Sequence, residues 1–348
     1  MDFINLSLDN KPYKQAILDA VQRVLSAGVF IGGEEVELFE QEFANYLGIP
    51  HVVSCANGTD ALFLALKALG ITQGDEVIVP AFTYVATANV IAHLGATPVF
   101  CDVDQQTYTL DVAEARKKIT AKTKAIIPVH LFGQMANMDE VMTLAKEHDL
   151  FVIEDCAQST GATWNGKQSG TFGHINTFSF FPTKNLGCYG DGGAISTNDA
   201  ALAEKIRLLK LQGQTKKYHH EMLGHNSRLD TIQAAILRVK LPYLPKEIAA
   251  RQAQAKKYDE QFSSESDITI PFVAAASGHS YNQYTIQVPN RDALIHKFEE
   301  QGIPTMIYYP EPLHTQPCFA YLGYTTGDFP ISEQLCNTVL SLPILLDT

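Results

Sequence analysis

The chain has 348 residues, with 26 basic against 38 acidic side chains for a formal net charge of −12, and 46% of its residues are hydrophobic and 18% charged. That length predicts about two domains and that composition excludes disorder, while the acidic balance excludes nucleic acid or an anionic membrane surface as the main partner. Six scattered cysteines without a CxxC pair exclude a disulfide framework or zinc ribbon, and the start MDFINLSLDNKPYK lacks a secretory leader's basic and apolar regions; with no apolar run of membrane-span length, the expectation is a reduced cytoplasmic protein.

From residue 51 to 155, short β-branched runs alternate with helical patterns. HVVS (51–54) precedes a helix with Leu62, Ala65, Leu66 and Leu69 at i, i+3, i+4, i+7 spacing, ended by Gly70. EVIVP (76–80), a helix ending near Leu94-Gly95, PVFCDV (98–103), a helix from Asp111 to Ile119, KAIIPV (124–129), a helix over 139–147 and FVIEDC (151–156) follow in turn. Strands that are apolar throughout are those covered on both faces, so this is a mainly parallel α/β sheet flanked by helices, with ligands expected beyond the strands' carboxyl ends. Asn165-Gly166 then signals a hairpin, and NTFSFF (176–181) and GGAIST (192–197) read as strands around a Gly-rich turn. Helices at 199–211 and 227–241 precede a break at Pro242 and Pro245. A long helix from about 246, YTIQV (284–288), a helix over 291–301 and a Pro-rich stretch at 304–317 form a smaller α+β unit. The expected division is 1–245 and 246–348, with residues 1–14 packing on the smaller unit. SLPILLDT stops without a closing helix, as a truncated C-terminus would.

Two motifs are decoys. GATWNGK (161–167) has Gln168 where a P-loop needs Ser or Thr and spans a hairpin, and CDVD (101–104) lacks nearby histidines, reading as a solvated turn rather than a metal site. Three others carry chemistry. In SCANGTD (54–60) a strand runs through Gly58-Thr59 into a helix, giving either an anion cradle of free amides or a plain N-cap at Thr59 or Asp60. Asp155 ends the most apolar strand, where it either meets a cation or protonated ring nitrogen or caps the next segment; Gln158 is three residues on. Lys184 lies between an apolar strand and NLGCYGDGG, a setting that lowers an amine's pKa and suits Schiff-base chemistry, and Ser179 offers a hydroxyl to the cradle.

Phosphate cradle, strand-end Asp and loop Lys in this order resemble fold-type I pyridoxal-phosphate enzymes. The segments GGEEVELFEQEFANYLG (32–48), GDEVIVPAFTYVATANV (74–90), TKAIIPVHLFGQ (123–134), VIEDCAQSTGA (152–162), SFFPTKNLG (179–187) and YYPEPLH (308–314) resemble the DegT/DnrJ/EryC1/StrS nucleotide-sugar aminotransferases from about Phe3 to Pro343. The resemblance implies a pyridoxal 5'-phosphate cofactor, with pyridoxamine 5'-phosphate as its alternate form. Lys184 would hold the cofactor covalently and then act as general base and acid. Asp155 would pair with the ring nitrogen, Tyr84 stack on the ring, Gly58, Thr59 and Ser179 hold the phosphate, and Gln158 lie beside the phenolic oxygen. Asn226 would complete the phosphate site from a second subunit, implying a homodimer with shared active sites. Arg228, Tyr309 and His314 would contact the sugar nucleotide; no metal is implied. Dehydratases of the family carry histidine in place of the lysine, so Lys184 implies transamination.

GHNSRLDTIQAAIL (224–237) resembles the form found in enzymes acting on 3-keto sugars, and SCANGTDAL and LGCYGDGGAISTND resemble the enzymes that make UDP-linked 3-amino-2-acetamido sugars. The implied reaction moves the amino group of L-glutamate to a UDP-2-acetamido-3-keto-hexose or -hexuronate for a surface polysaccharide such as O-antigen. The alternatives are carbon-4 amination of a dTDP- or UDP-4-keto-6-deoxy sugar, and a non-catalytic regulator. Tyr308 stands where many relatives have the His of an HYP motif. Residues 201–240 hold eight basic side chains against three acidic ones, predicting a local attractive field for a small polyanion.

Overall fold

The computed structural model describes residues 3, 4, 6 and 11–344. Nine strands occupy the middle of the chain: β1 (His51–Cys55), β2 (Glu76–Pro80), β3 (Thr97–Cys101), β4 (Thr123–Ile126), β5 (Phe151–Asp155), β6 (Thr163–Trp164), β7 (Lys167–Gln168), β8 (Ile175–Ser179) and β9 (Gly193–Thr197). Seven of them form one sheet in the order β1-β9-β8-β5-β4-β2-β3. All neighbours pair in parallel except β9, which runs antiparallel to both β1 and β8. The wholly apolar β2 shows why such strands need two covered faces. Val77 and Val79 pack with Leu62, Leu66 and Ile91 on one side, whereas Ile78 packs with Val141, Leu144 and Val152 on the other.

The expected helices lie at Gly58–Ala68, Ala86–His93, Val112–Lys117 and Met138–His148, and the Asn165-Gly166 turn joins β6 to β7 with both residues left-handed, φ 48° and 77°. No element was expected in the first 50 residues, yet helices occupy Lys14–Ala27 and Glu34–Leu47. The second buries Val36, Phe39, Phe43 and Leu47 against Phe178 and Phe180 of the sheet. Pro242 and Pro245 do not separate helices widely: Thr231–Lys240 passes through the 3-10 turn Leu241–Tyr243 into Leu244–Phe262, because each proline sits in a first turn, where its missing N–H costs nothing.

The polar stretch after Leu209 folds into a hairpin of β10 (Gln214–Lys216) and β11 (His219–His220), and β12 (Ser277–Gly278) pairs with β6. Beyond residue 244, β13 (Tyr284–Gln287) and β14 (Val339–Leu342) pair antiparallel, and with the Leu244–Phe262 and Arg291–Glu300 helices they enclose Phe262, Tyr284, Ile286, Phe298, Leu340 and Leu342. Near the N-terminus, Phe3 meets the Tyr308 ring edge-on at 6.2 Å, and the Tyr13 hydroxyl donates to Glu247. Residues 1, 2, 5, 7–10 and 345–348, on which the N-terminal packing and the C-terminal ending partly turn, lie outside the described residues.

CDVD is not a solvated turn throughout. Asp104 closes a local turn, accepting from the amides of Gln106 and Thr107, but Asp102 is buried and accepts from the amides of Ile331 and Ser332 and from the Ser332 hydroxyl. It thereby caps the Pro330–Thr338 helix from across the molecule.

Candidate active site

Asp155 ends β5 at the carboxyl edge of the sheet and is 5% exposed. One carboxylate oxygen, Oδ2, accepts from the Thr87 hydroxyl at 2.9 Å, and Oδ1 accepts from the Ala157 amide at 3.2 Å. Burial raises its pKa, opposed by these two bonds and by the charges of Lys184 and His130. Burial outweighs them, so the charge of this carboxylate is only partly compensated.

Lys184 sits in the turn that leaves β8. That turn is built rather than loose. The Lys184 amide donates to Phe181 O at 2.8 Å, and the buried Asn185 side chain donates to the carbonyls of Thr160 and Ser280. Lys240 Nζ donates to Gly187 O at 2.7 Å, and a Cβ at Gly187 would come within 2.5 Å of Pro182 O, so only glycine closes the turn. Desolvation brings the Lys184 pKa down from 10.5 to about 8, with the Asp155 charge holding it up. At that value about a tenth of the amine is neutral at pH 7, far more than for a lysine at 10.5, which suits a Schiff-base lysine.

The Gly58–Ala68 helix begins beside this pair. Its N-cap is Asn57, not Thr59 or Asp60: Asn57 Oδ1 accepts from the Asp60 amide at 2.8 Å and its carbonyl from the Ala61 amide. Among the described residues, no acceptor within the chain satisfies the amides of Gly58 and Thr59, so the cap falls on Asn57 and leaves these two amides open to an anion. A Cβ on Gly58 would lie 2.7 Å from Ser179 Cβ, which brings the Ser179 hydroxyl to the cradle's edge.

Tyr84 is 56% exposed, with its ring 6.2 Å from that of Tyr309. Gln158 is buried between two partners, accepting from the Phe132 amide at 2.8 Å and donating to the Tyr309 hydroxyl at 3.0 Å. Asn226 and Arg228 are exposed and line one cleft with Ala56, Gly190 and Ile31. Between them, the buried Ser227 hydroxyl accepts from the Ala56 amide at 3.1 Å and ties the NSRLD segment to the strand that feeds the cradle. His314 does not join them. Its side chain has no exposed surface, Nε2 lies 3.0 Å from Glu333 Oε1, and its ring packs against Phe329, so it offers no face to a sugar.

The basic segment is also less open than its charge count implies. Arg207 and Lys210 pair with Glu40, Arg238 with Glu35 and Glu42, and Lys205 and Lys240 donate to the carbonyls of Ala68 and Gly187. Lys216, Lys217 and Arg228 are left facing solvent. Buried His130, Glu154 and Cys156 group their donor atoms within 4.8 Å. The chain itself satisfies two of them: Glu154 accepts from His130 and from the amides of Gly170, Phe172 and Gly173, and His130 Nδ1 accepts from the Ala136 amide. Thr87, Ser227 and Asn57 went unnoticed in sequence; the hydroxyls of Thr83 and Thr87, four apart in the otherwise apolar AFTYVAT, were the available signal.

Relatives match the chain over nearly its full length. The chain is 47% identical to a pleiotropic regulatory protein of Geobacillus stearothermophilus, covering 98% of this chain and 92% of that protein. It is 45% identical to a UDP-2-acetamido-2-deoxy-3-oxo-D-glucuronate aminotransferase of Pseudomonas aeruginosa (100% and 96% covered). It is also 45% identical to a dTDP-3-amino-3,6-dideoxy-alpha-D-galactopyranose transaminase of Aneurinibacillus thermoaerophilus (98% and 93%). Among solved structures, Streptomyces venezuelae DesV in complex with a ketimine intermediate superposes with a TM-score of 0.96 at 41% identity, covering 99% of this chain and 92% of that one. With a family model matching residues 12–348, the chain belongs to the DegT/DnrJ/EryC1/StrS aminotransferase family.

Proposed function

We propose that this aminotransferase moves the amino group of L-glutamate to carbon 3 of a UDP-linked 2-acetamido-3-keto-hexose or -hexuronate, using pyridoxal 5'-phosphate and passing through its pyridoxamine form. The observation that carries the reading is the juxtaposition of a desolvated amine, Lys184, with a buried and only partly compensated carboxylate, Asp155, at the sheet edge where the free amides of Gly58 and Thr59 open. These residues fit the cofactor. The cradle, with the Ser179 hydroxyl and a glycine whose Cβ would obstruct it, takes a phosphate; Asp155 takes a protonated ring nitrogen; Tyr84 has a free face for the ring. When bound, the cofactor supplies an electron sink for the charge left when a C–H proton is removed.

The chain's own groups do the rest. Asp155 keeps the ring nitrogen protonated by ion pairing in a site of low dielectric. Lys184 Nζ would hold the cofactor covalently and, as a free amine, would serve as the general base that takes the proton from the amino-bearing carbon of glutamate and as the general acid that gives a proton to carbon 3 of the sugar. Gln158 and Tyr309 hold one another by their hydrogen bond and would lie beside the ring. Asn226 and Arg228, which share a cleft with the exposed Ile31, would reach the phosphate and the sugar's diphosphate or carboxylate in the partner subunit's site of a homodimer with shared sites. Carbon 3 is favoured by NSRLD and by the 3-oxo and 3-amino sugars named for two of the relatives above. A regulator would have no need of a desolvated Schiff-base lysine.

The test is to offer the loaded enzyme [15N]glutamate with UDP-linked 3-keto sugars, dTDP-linked 3-keto sugars and 4-keto-6-deoxy sugars, and to locate the nitrogen by NMR. Label on carbon 3 of the UDP sugars is expected. Label on carbon 4, or transfer confined to dTDP sugars, contradicts the substrate assignment.

A further inference from the structure

Asp155 is held by a relay that no other part of the site explains. Thr83 and Thr87 are 3% and 1% exposed, and their hydroxyl oxygens lie 3.3 Å apart. Thr87 Oγ1 donates to Asp155 Oδ2 at 2.9 Å. A hydroxyl has a single proton to give, so while Asp155 is ionised Thr87 is committed to it and Thr83 must donate to Thr87. The same five-residue stretch carries Tyr84, whose ring faces outward. One short segment at the start of the Ala86–His93 helix thus presents a ring-stacking face and grips the carboxylate from below.

We propose that Thr87 is a positioning residue for transamination: its hydroxyl keeps Asp155 ionised and turns that carboxylate toward the cofactor's ring nitrogen, so that the ring stays protonated. The proposal rests on the role assigned to Asp155 above. The other groups around that carboxylate do not replace the bond. Lys184 is consumed as the covalent attachment, His130 is turned to Glu154 and the Ala136 amide, and Tyr309 and Cys156 carry no positive charge. The Ala157 amide holds only Oδ1. Without the Thr87 hydroxyl, a buried carboxylate loses half of its hydrogen bonds and takes up a proton more readily.

Thr87→Val keeps the shape and removes the hydroxyl, and Thr87→Ser restores it. Each protein, loaded with ring-15N pyridoxal phosphate, is followed by the 15N shift of the ring nitrogen across pH, with cofactor dissociation and kcat measured alongside. The wild type and Thr87→Ser are expected to hold a protonated ring nitrogen to higher pH than Thr87→Val. Thr87→Val should lose kcat by roughly tenfold to a hundredfold, the effect of one hydrogen bond to a charged group, with little change in KM for glutamate. A ring nitrogen in Thr87→Val that titrates as in wild type overturns the inference. Wild-type enzyme with an unprotonated ring nitrogen overturns the role of Asp155 itself, which separates the two failures. If Thr87→Val does not fold, Thr87→Ala reads the same shift.

Discussion

Lys184 is penalised as an ammonium by the turn that holds it, and the penalty has two pH signatures. Its folded pKa of about 8 lies below the ordinary 10.5, so between those values the unfolded chain binds a proton that the folded chain does not. The cofactor-free protein should therefore gain stability as pH rises through that window, and its rate of recombination with pyridoxal phosphate should rise with a midpoint near pH 8, read by the growth of visible absorbance. A rate flat from pH 6 to 10 would remove the amine from that step. Gly58 makes a second residue-scale prediction. Its missing Cβ leaves the contact with Ser179, so Gly58→Ala should push the cradle open and weaken cofactor binding at least about tenfold, measured by equilibrium dialysis, with the secondary structure unchanged. At this scale Lys184 and Asp155 stand out in the sequence because an amine and a carboxylate at the ends of apolar strands need a reason to be there. The N-cap at Asn57 rather than Thr59 or Asp60, and the burial of His314, do not show in the sequence because capping depends on backbone dihedrals and burial of a histidine depends on what the chain later folds over it.

Among the elements, the Pro330–Thr338 helix depends on a remote side chain. Asp102 holds its first amides from the loop after β3, and Asp102→Ala should cost roughly 1–3 kcal/mol, lowering the melting temperature by a few degrees. An unchanged melting temperature would mean that the helix N-terminus finds other acceptors. Strands such as EVIVP and FVIED announced themselves by unbroken apolar runs, and the helices after them by spacing. Hairpin β10–β11 did not, because it is polar and exposed and is held by turn geometry, not by a buried face. Nor did β14, whose VLSL is short and finds its partner more than fifty residues upstream. The reversal of β9 was equally hidden: an apolar strand reads the same in either direction.

For the whole molecule, charge proved the least transparent property. The basic segment at 201–240 mostly pins β1, the Glu34–Leu47 helix and the lysine's own turn, leaving Arg228, Lys216 and Lys217 for ligands. Arg228→Ala should raise KM for the sugar nucleotide severalfold and leave the glutamate half-reaction nearly intact, since glutamate alone lacks the diphosphate. Sedimentation should give a dimer of the 38.3 kDa chain. Everything converges on whether Lys184 carries transamination in this site. The most direct measurement is a single turnover with glutamate, followed by loss of the bound cofactor's visible absorbance and by 2-oxoglutarate released, in wild type and Lys184→Ala. The account predicts one equivalent of 2-oxoglutarate per site from wild type and none on the same timescale from the variant; equal yields at equal rates would contradict it.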